Sequence, residues 1–108
     1  AHRMINTAGE LVAPPSVERA LRSLDVVSDA LVVGLPDERW GQIVAALIVA
    51  SDVGRAQASS LSADALSEAL RDSLAPWEKV RRVLVVEALP TTTTGKPDPV
   101  AAAHLFDS

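Results

Sequence analysis

ALVVGLPDERWGQIVAALIVA, from Ala30 to Ala50, holds two continuous apolar runs separated by a polar turn. Each run has the length of a strand and lacks the alternation of a half-exposed one. The two therefore read as neighbouring antiparallel strands covered on at least one face. Asp37, Glu38 and Arg39 make a solvated turn between them, and Trp40 is placed to cover one edge of the core. This pair forms the centre of a sheet, and the remaining segments are assigned by how they would flank it.

Upstream, MINTAGELV (4–12) has two short apolar segments around Thr-Ala-Gly, and Gly9 can supply the positive φ of a tight turn, so a small hairpin is expected. Pro14 and Pro15 open a helix with Val17, Ala20, Leu21 and Leu24 on one face, Glu18 in its first turn, and an end near Leu24. Downstream, Ser51 to Ser62 is rich in Ser, Ala, Gly and Gln and is expected to be a long surface loop. Ser62 can cap a second helix that packs Leu66, Ala69, Leu70 and Leu74 and stops at Pro76. RRVLVVEAL (81–89) reads as another strand. After a threonine-rich loop, Asp98 can cap a last short helix with Pro99 at its first position and Val100, Ala103 and Leu105 available for packing.

The order hairpin, α, β, β, α, β, loop, α defines an α+β class. It is a small antiparallel or mixed β-sheet with helices packed on it, plus an N-terminal two-stranded hairpin. The 108 residues suit one domain with one core, packed almost wholly from Ala, Val, Leu and Ile because Trp40, Trp77 and Phe106 are the only aromatics. The formal charge of −4 comes from 14 acids and 10 bases spread through the chain, without the basic stripe a nucleic-acid partner requires. There are no cysteines, which removes disulfides and thiol chemistry and fits a cytoplasmic setting. No apolar run approaches the ~20 residues of a transmembrane helix. The abrupt start, AHRM, reads as a cut end.

Among residues able to carry chemistry, Lys96 stands out: one ammonium after Gly95, on an uncharged loop, can be delivered to an anionic group as a compact point charge. The plain alternative is a solvated lysine at a helix entrance. The loop has too few glycines for a phosphate cradle, and Pro97 follows the lysine where such loops have Ser or Thr. His2 and His104 have no carboxylate or thiol spacing of a metal site, so no metal ligand is assigned. Ser59, Ser60 and Ser62 lack a nucleophile-elbow pattern. Lys79, Arg81 and Arg82 either hold a phosphate-bearing partner or form, with Glu78, a polar strand entry.

Taken together, MINTAGELVAPPSVERAL, ALVVGLPDERWGQIVAALIVA and LPTTTTGKPD resemble, in order, three motifs of the C-terminal domain of the adenylate-forming superfamily, which includes the acyl-CoA and aryl-CoA synthetases. The resemblance covers nearly the whole chain, residues 1–108. It implies a small lid that swings between two poses over an active site built by a large N-terminal domain. That domain holds ATP, Mg2+ and the carboxylic acid. In the first pose Lys96, at the tip of the Gly95 loop, reaches the reacting oxygens while the acyl-adenylate forms. Rotation about a hinge at His2 or Arg3 then withdraws it, and Ala8, Gly9 and Glu10 line the tunnel for an attacking pantetheine thiol.

The departures are that Ala8 stands where the family commonly has the first of two glycines, and that KPDP lacks an Arg often found after the closing lysine. INTAGELVAPPSVE is closer to CoA-ligase segments, so CoA is the expected acceptor. A carrier-protein phosphopantetheine would use the same tunnel. The 108 residues alone hold no nucleotide-binding loop and are expected to be inactive. The competing reading is a stand-alone ferredoxin-like binding or regulatory module.

Overall fold

A computed structural model describes residues 4–107. His2 and Arg3, the expected hinge, lie outside the described residues. The strands are β1 (Ile5–Thr7), β2 (Glu10–Val12), β3 (Val27–Asp37), β4 (Gly41–Ala50) and β5 (Val80–Val85). The helices are α1 (Pro14–Arg22), α2 (Asp52–Ala56), α3 (Ala63–Ala69) and α4 (Pro99–Leu105), with single 3-10 turns at Ala58–Leu61 and Pro76–Glu78.

β3 and β4 pair antiparallel from Asp37↔Gly41 to Val27↔Ala50. Successive side chains on a strand point to opposite faces, and here both faces are buried. Ala30, Val32, Val44, Ala46 and Ile48 face one core with Val17 and Leu21 of α1 and with Leu66 and Leu70. Leu31, Val33, Leu35, Ala45 and Leu47 face a second core closed by Ala102 and Phe106. Burial on both sides is why the two runs show no alternation. Fully burying a side chain such as Leu21 or Leu66 contributes about 1.5–3 kcal/mol relative to leaving it exposed.

The sheet has five strands and is mixed. β5 runs parallel to β4 from Val44↔Val80 to Ile48↔Val85, a pairing that needs the crossover through α2 and α3. The β1–β2 hairpin meets β4 at Thr7↔Gly41. The α+β assignment is as expected, and so is the order of elements apart from the added α2. Among the described residues no helix is long and apolar enough to cross a membrane.

Four local readings change. Glu18 lies in the second turn of α1, and its carboxylate accepts the Val32 N–H of the β3 edge at 2.9 Å, capping a strand donor instead of the helix dipole. Arg22 on the same helix donates to Asp29 at 3.1 Å and to the Ala30 carbonyl at 3.3 Å, so the exposed edge is blunted by side chains. In the α3 segment Leu66 and Leu70 pack while Ala69 is exposed. In α4 the packed face is Ala102 and Phe106, with Val100 and Leu105 outward, because i and i+4 share a face.

The expected loop at 51–62 holds α2 and a 3-10 turn. Ser51 caps α2 by accepting from the Gly54 N–H at 3.1 Å, and Leu61 is buried. Gly54 presses against β3's entry: a Cβ there would fall 2.1 Å from the Val26 carbonyl oxygen. Low hydropathy hid a segment whose fold depends on close backbone approach, not on apolar mass. Gly54→Ala is therefore expected to destabilise the chain by roughly 2–3 kcal/mol; a chemical-denaturation midpoint unchanged from the parent would refute this packing.

Candidate functional site

The loop that carries Lys96 is a closed hairpin. Asp98 N–H donates to the Pro90 carbonyl at 2.9 Å, Thr92 N–H to the Lys96 carbonyl at 2.7 Å, and Gly95 N–H to the Thr92 carbonyl at 2.9 Å. Gly95 takes φ +85°, the left-handed residue of a three-residue hairpin loop. The Thr92 hydroxyl accepts from the Lys96 N–H at 3.3 Å and contacts the Thr94 hydroxyl at 3.0 Å. The uncharged, threonine-rich loop is thus closed by its own hydrogen bonds. Beyond it, Asp98 accepts from Ala101 N–H at 3.1 Å and starts α4, as expected.

Lys96 is exposed and takes part in none of the ion pairs found among the described residues. It stands on the rim of an open groove of about 830 Å3 between α1, the β3 edge and α4, with Met4, Leu89 and Val100 as apolar lining. His104 lies on the same rim. No group of three or more His, Asp or Glu that could hold a metal ion is found among the described residues.

The second site, around Ala8, Gly9 and Glu10, does not line that groove. It is the turn of the β1–β2 hairpin, at the end of β1 that touches β4. Ala8 takes φ +53° and Gly9 φ +87°, the two positive values a two-residue hairpin turn requires. The Asn6 side chain accepts from Gly9 N–H at 3.1 Å, and Ala8 N–H donates to the Trp40 carbonyl at 2.7 Å. A Cβ on Gly9 would meet nothing within 4 Å, so it is the backbone angle and not crowding within this chain that calls for glycine. Glu10 is exposed and forms no ion pair among those found.

Trp40, anchored to this turn, packs partly into the second core as expected, and its ring carries two cations. The Arg81 guanidinium carbon lies 4.5 Å from the ring centroid and that of Arg39 5.4 Å. From the sequence Arg81 groups with its neighbours and Arg39 falls in a solvated turn: Arg39 adjoins Trp40 in the chain, but only β4–β5 pairing brings Arg81 to the same indole. Arg82 points elsewhere: it donates to the Phe106 carbonyl at 3.3 Å and lies over the Phe106 ring, tying β5 to the end of α4. The basic trio therefore divides, with Arg82 in a structural role.

The profile of the AMP-binding enzyme C-terminal domain matches residues 16–96, most of the chain. The chain belongs to this family of the adenylate-forming superfamily. The AMP-binding C-terminal domain described here is 38% identical over 94 residues to the 3-oxocholest-4-en-26-oate–CoA ligase of Rhodococcus rhodochrous, a match covering 87% of this chain and 16% of that protein. It is 40% identical over 94 residues to the 4-chlorobenzoate–CoA ligase of an Arthrobacter species, covering 86% of this chain and 17% of that protein. A solved Mycobacterium tuberculosis fatty acyl CoA synthetase superposes with a TM-score of 0.81 at 32% identity, over 95% of this chain and 19% of that one. The chain thus spans about one sixth of the length of the curated relatives it matches.

In this AMP-binding C-terminal domain the left-handed Ala8 is a strained position, since an L side chain there costs roughly 1–2 kcal/mol against glycine, offset in part by glycine's greater freedom when unfolded. Ala8→Gly is expected to stabilise the chain by about 0.5–1 kcal/mol. A thermal melt that shows no gain would mean the turn does not adopt this conformation in solution.

Proposed function

We propose that residues 1–108 are the mobile C-terminal lid of a cytoplasmic, AMP-forming acyl- or aryl-CoA synthetase, inactive apart from its N-terminal domain. The observation that carries this reading is Lys96 itself: a cation in none of the ion pairs found among the described residues, on the closing pair of a hydrogen-bonded hairpin. A carboxylate attacking the α-phosphorus of ATP gathers negative charge on the phosphorus oxygens and the leaving pyrophosphate. An ammonium delivered to those oxygens lowers that barrier. ATP, Mg2+ and the carboxylic acid are assigned to the N-terminal domain, which offers the site that Lys96 enters.

The turn of Ala8, Gly9 and Glu10 belongs to the second half-reaction, in which the thiol of CoA attacks the acyl carbonyl and AMP leaves. Open space beside Gly9 gives room for the pantetheine arm. The neighbouring Trp40, with Arg39 and Arg81 against it, suits the phosphates and base of the CoA nucleotide. A carrier-protein arm lacks that nucleotide, which favours CoA as acceptor.

In the full-length enzyme, Lys96→Ala should slow pyrophosphate exchange by roughly 2–4 kcal/mol of lost transition-state stabilisation. Thioester formation from prepared acyl-adenylate and CoA should run near the wild-type rate, and the melting temperature should hold. Loss in both steps together with a lower melting temperature would mark a folding role. No loss in either would mark a solvated lysine.

Arg81→Ala tests the acceptor. It should raise KM for CoA on the order of tenfold, the loss of one charge-assisted contact, while leaving KM for pantetheine unchanged. An equal rise for both would place Arg81 away from the nucleotide.

A further inference from the structure

The hairpin joins the sheet through a very short seam. β1 and β4 share one Cα pair, Thr7↔Gly41, and beyond it the Ala8 N–H bonds the Trp40 carbonyl at 2.7 Å. In that register Asn6 comes next, opposite Gln42. Its N–H does not continue a backbone ladder. It donates instead to the side-chain oxygen Oε1 of Gln42 at 2.9 Å. From Val44 onward the same edge of β4 is taken by β5. The hairpin and β5 therefore divide one edge, and the Gln42 amide stands where β1 leaves it.

The adjoining strand makes room for this side chain. A Cβ on Gly34 of β3 would lie 2.8 Å from Gln42 Nε2 and 3.1 Å from Ile5 Cγ2. Gly34 has no positive φ, so what it supplies is space: a slot that holds the Gln42 amide on one side and seats Ile5 of the hairpin on the other. An amide fixed in this way settles both the distance and the angle of β1 against the sheet.

We infer that Gln42 is a positioning residue for the acceptor step. Its Oε1 holds the hairpin through Asn6 N–H, and so fixes the Ala8–Gly9 turn beside Trp40 and Arg81. Asn6 also holds the turn directly, through its side-chain oxygen on Gly9 N–H. One residue thus links the sheet-side bond to the tip. The inference rests on the proposed role of that turn in thioester formation. Gln42 itself touches no reacting atom. It acts by keeping the aperture for the pantetheine arm at one width.

The test uses the full-length enzyme with Gln42→Leu, which keeps the shape and removes the acceptor, and Gln42→Glu, which keeps an oxygen in place. Gln42→Leu should slow single-turnover thioester formation from prepared acyl-adenylate on the order of tenfold, with pyrophosphate exchange within about twofold of wild type. Gln42→Glu should recover most of the loss. In the 108-residue chain, amide hydrogen exchange at Asn6 should accelerate in Gln42→Leu and not in Gln42→Glu.

Unchanged exchange at Asn6, equal slowing of both half-reactions, or failure of Gln42→Glu to rescue would each overturn the inference. Gly34→Ala supplies a second route that leaves Gln42 in place: crowding the slot should slow the same step, and an unaffected rate would count against the geometry. A wild-type enzyme without pyrophosphate exchange would instead overturn the functional reading itself, a result distinct from any effect of Gln42.

Discussion

Two adjacent strands, β3 and β4, are apolar on both faces, and the helices that pack on them are placed by the need to cover those faces. α1 and the α3 segment close one face through Val17, Leu21, Leu66 and Leu70, and α4 closes the other through Ala102 and Phe106. Because a strand's side chains alternate between faces, no shift of register by one residue would leave either core intact. The pairing keeps one register from Asp29↔Val49 to Asp37↔Gly41, and the turn that joins the two strands inherits a fixed position. The turn after β3 carries Trp40, and β5 carries Arg81 to the same indole.

The free edges required separate solutions. Among the described residues β3 has no partner strand on its outer side, and there α1 supplies Glu18 to the Val32 N–H and Arg22 to the Ala30 carbonyl. These contacts cap backbone groups that would otherwise template pairing with another chain. On β4 the opposite edge is divided between β5 and the hairpin, with a glutamine side chain at the division. Each edge is thus completed by a side chain placed through tertiary packing.

That difference explains what could be read from the sequence. The apolar runs at 30–50, the proline-opened α1, and the caps at Ser62 and Asp98 are local signals, and each element appeared where its signal stood. The segment 51–62 failed because its organising residue, Gly54, acts by what it lacks, and only the fold shows what lies 2.1 Å from its absent Cβ. The outward face of α4 failed because a seven-residue helix with apolar residues on several sides has no periodicity strong enough to choose among them. At the candidate site, Lys96, Gly95 and Gly9 were marked by motif, whereas the Arg81 contact with Trp40 and the Gln42–Asn6 bond join residues distant in sequence and left no local trace.

The stiffness of the Lys96 loop also bears on how the proposed lid would move. A pliable tether would deliver an ammonium by bending, and each delivery would order a mobile segment at an entropic cost. Here Thr92, Gly95, Lys96 and Asp98 are already bonded into one hairpin, whose base continues into α4. α4 in turn is tied to β5 by Arg82 and packed on β3 and β4. In the proposed lid, the backbone of Lys96 would therefore move with the sheet and not separately from it. The same sheet carries the Ala8–Gly9 turn outside the Lys96 groove, so a rotation that withdraws one can present the other. In this reading the alternation between two half-reactions belongs to the body of the domain, and the rigidity of both loops is what allows one rotation to exchange them.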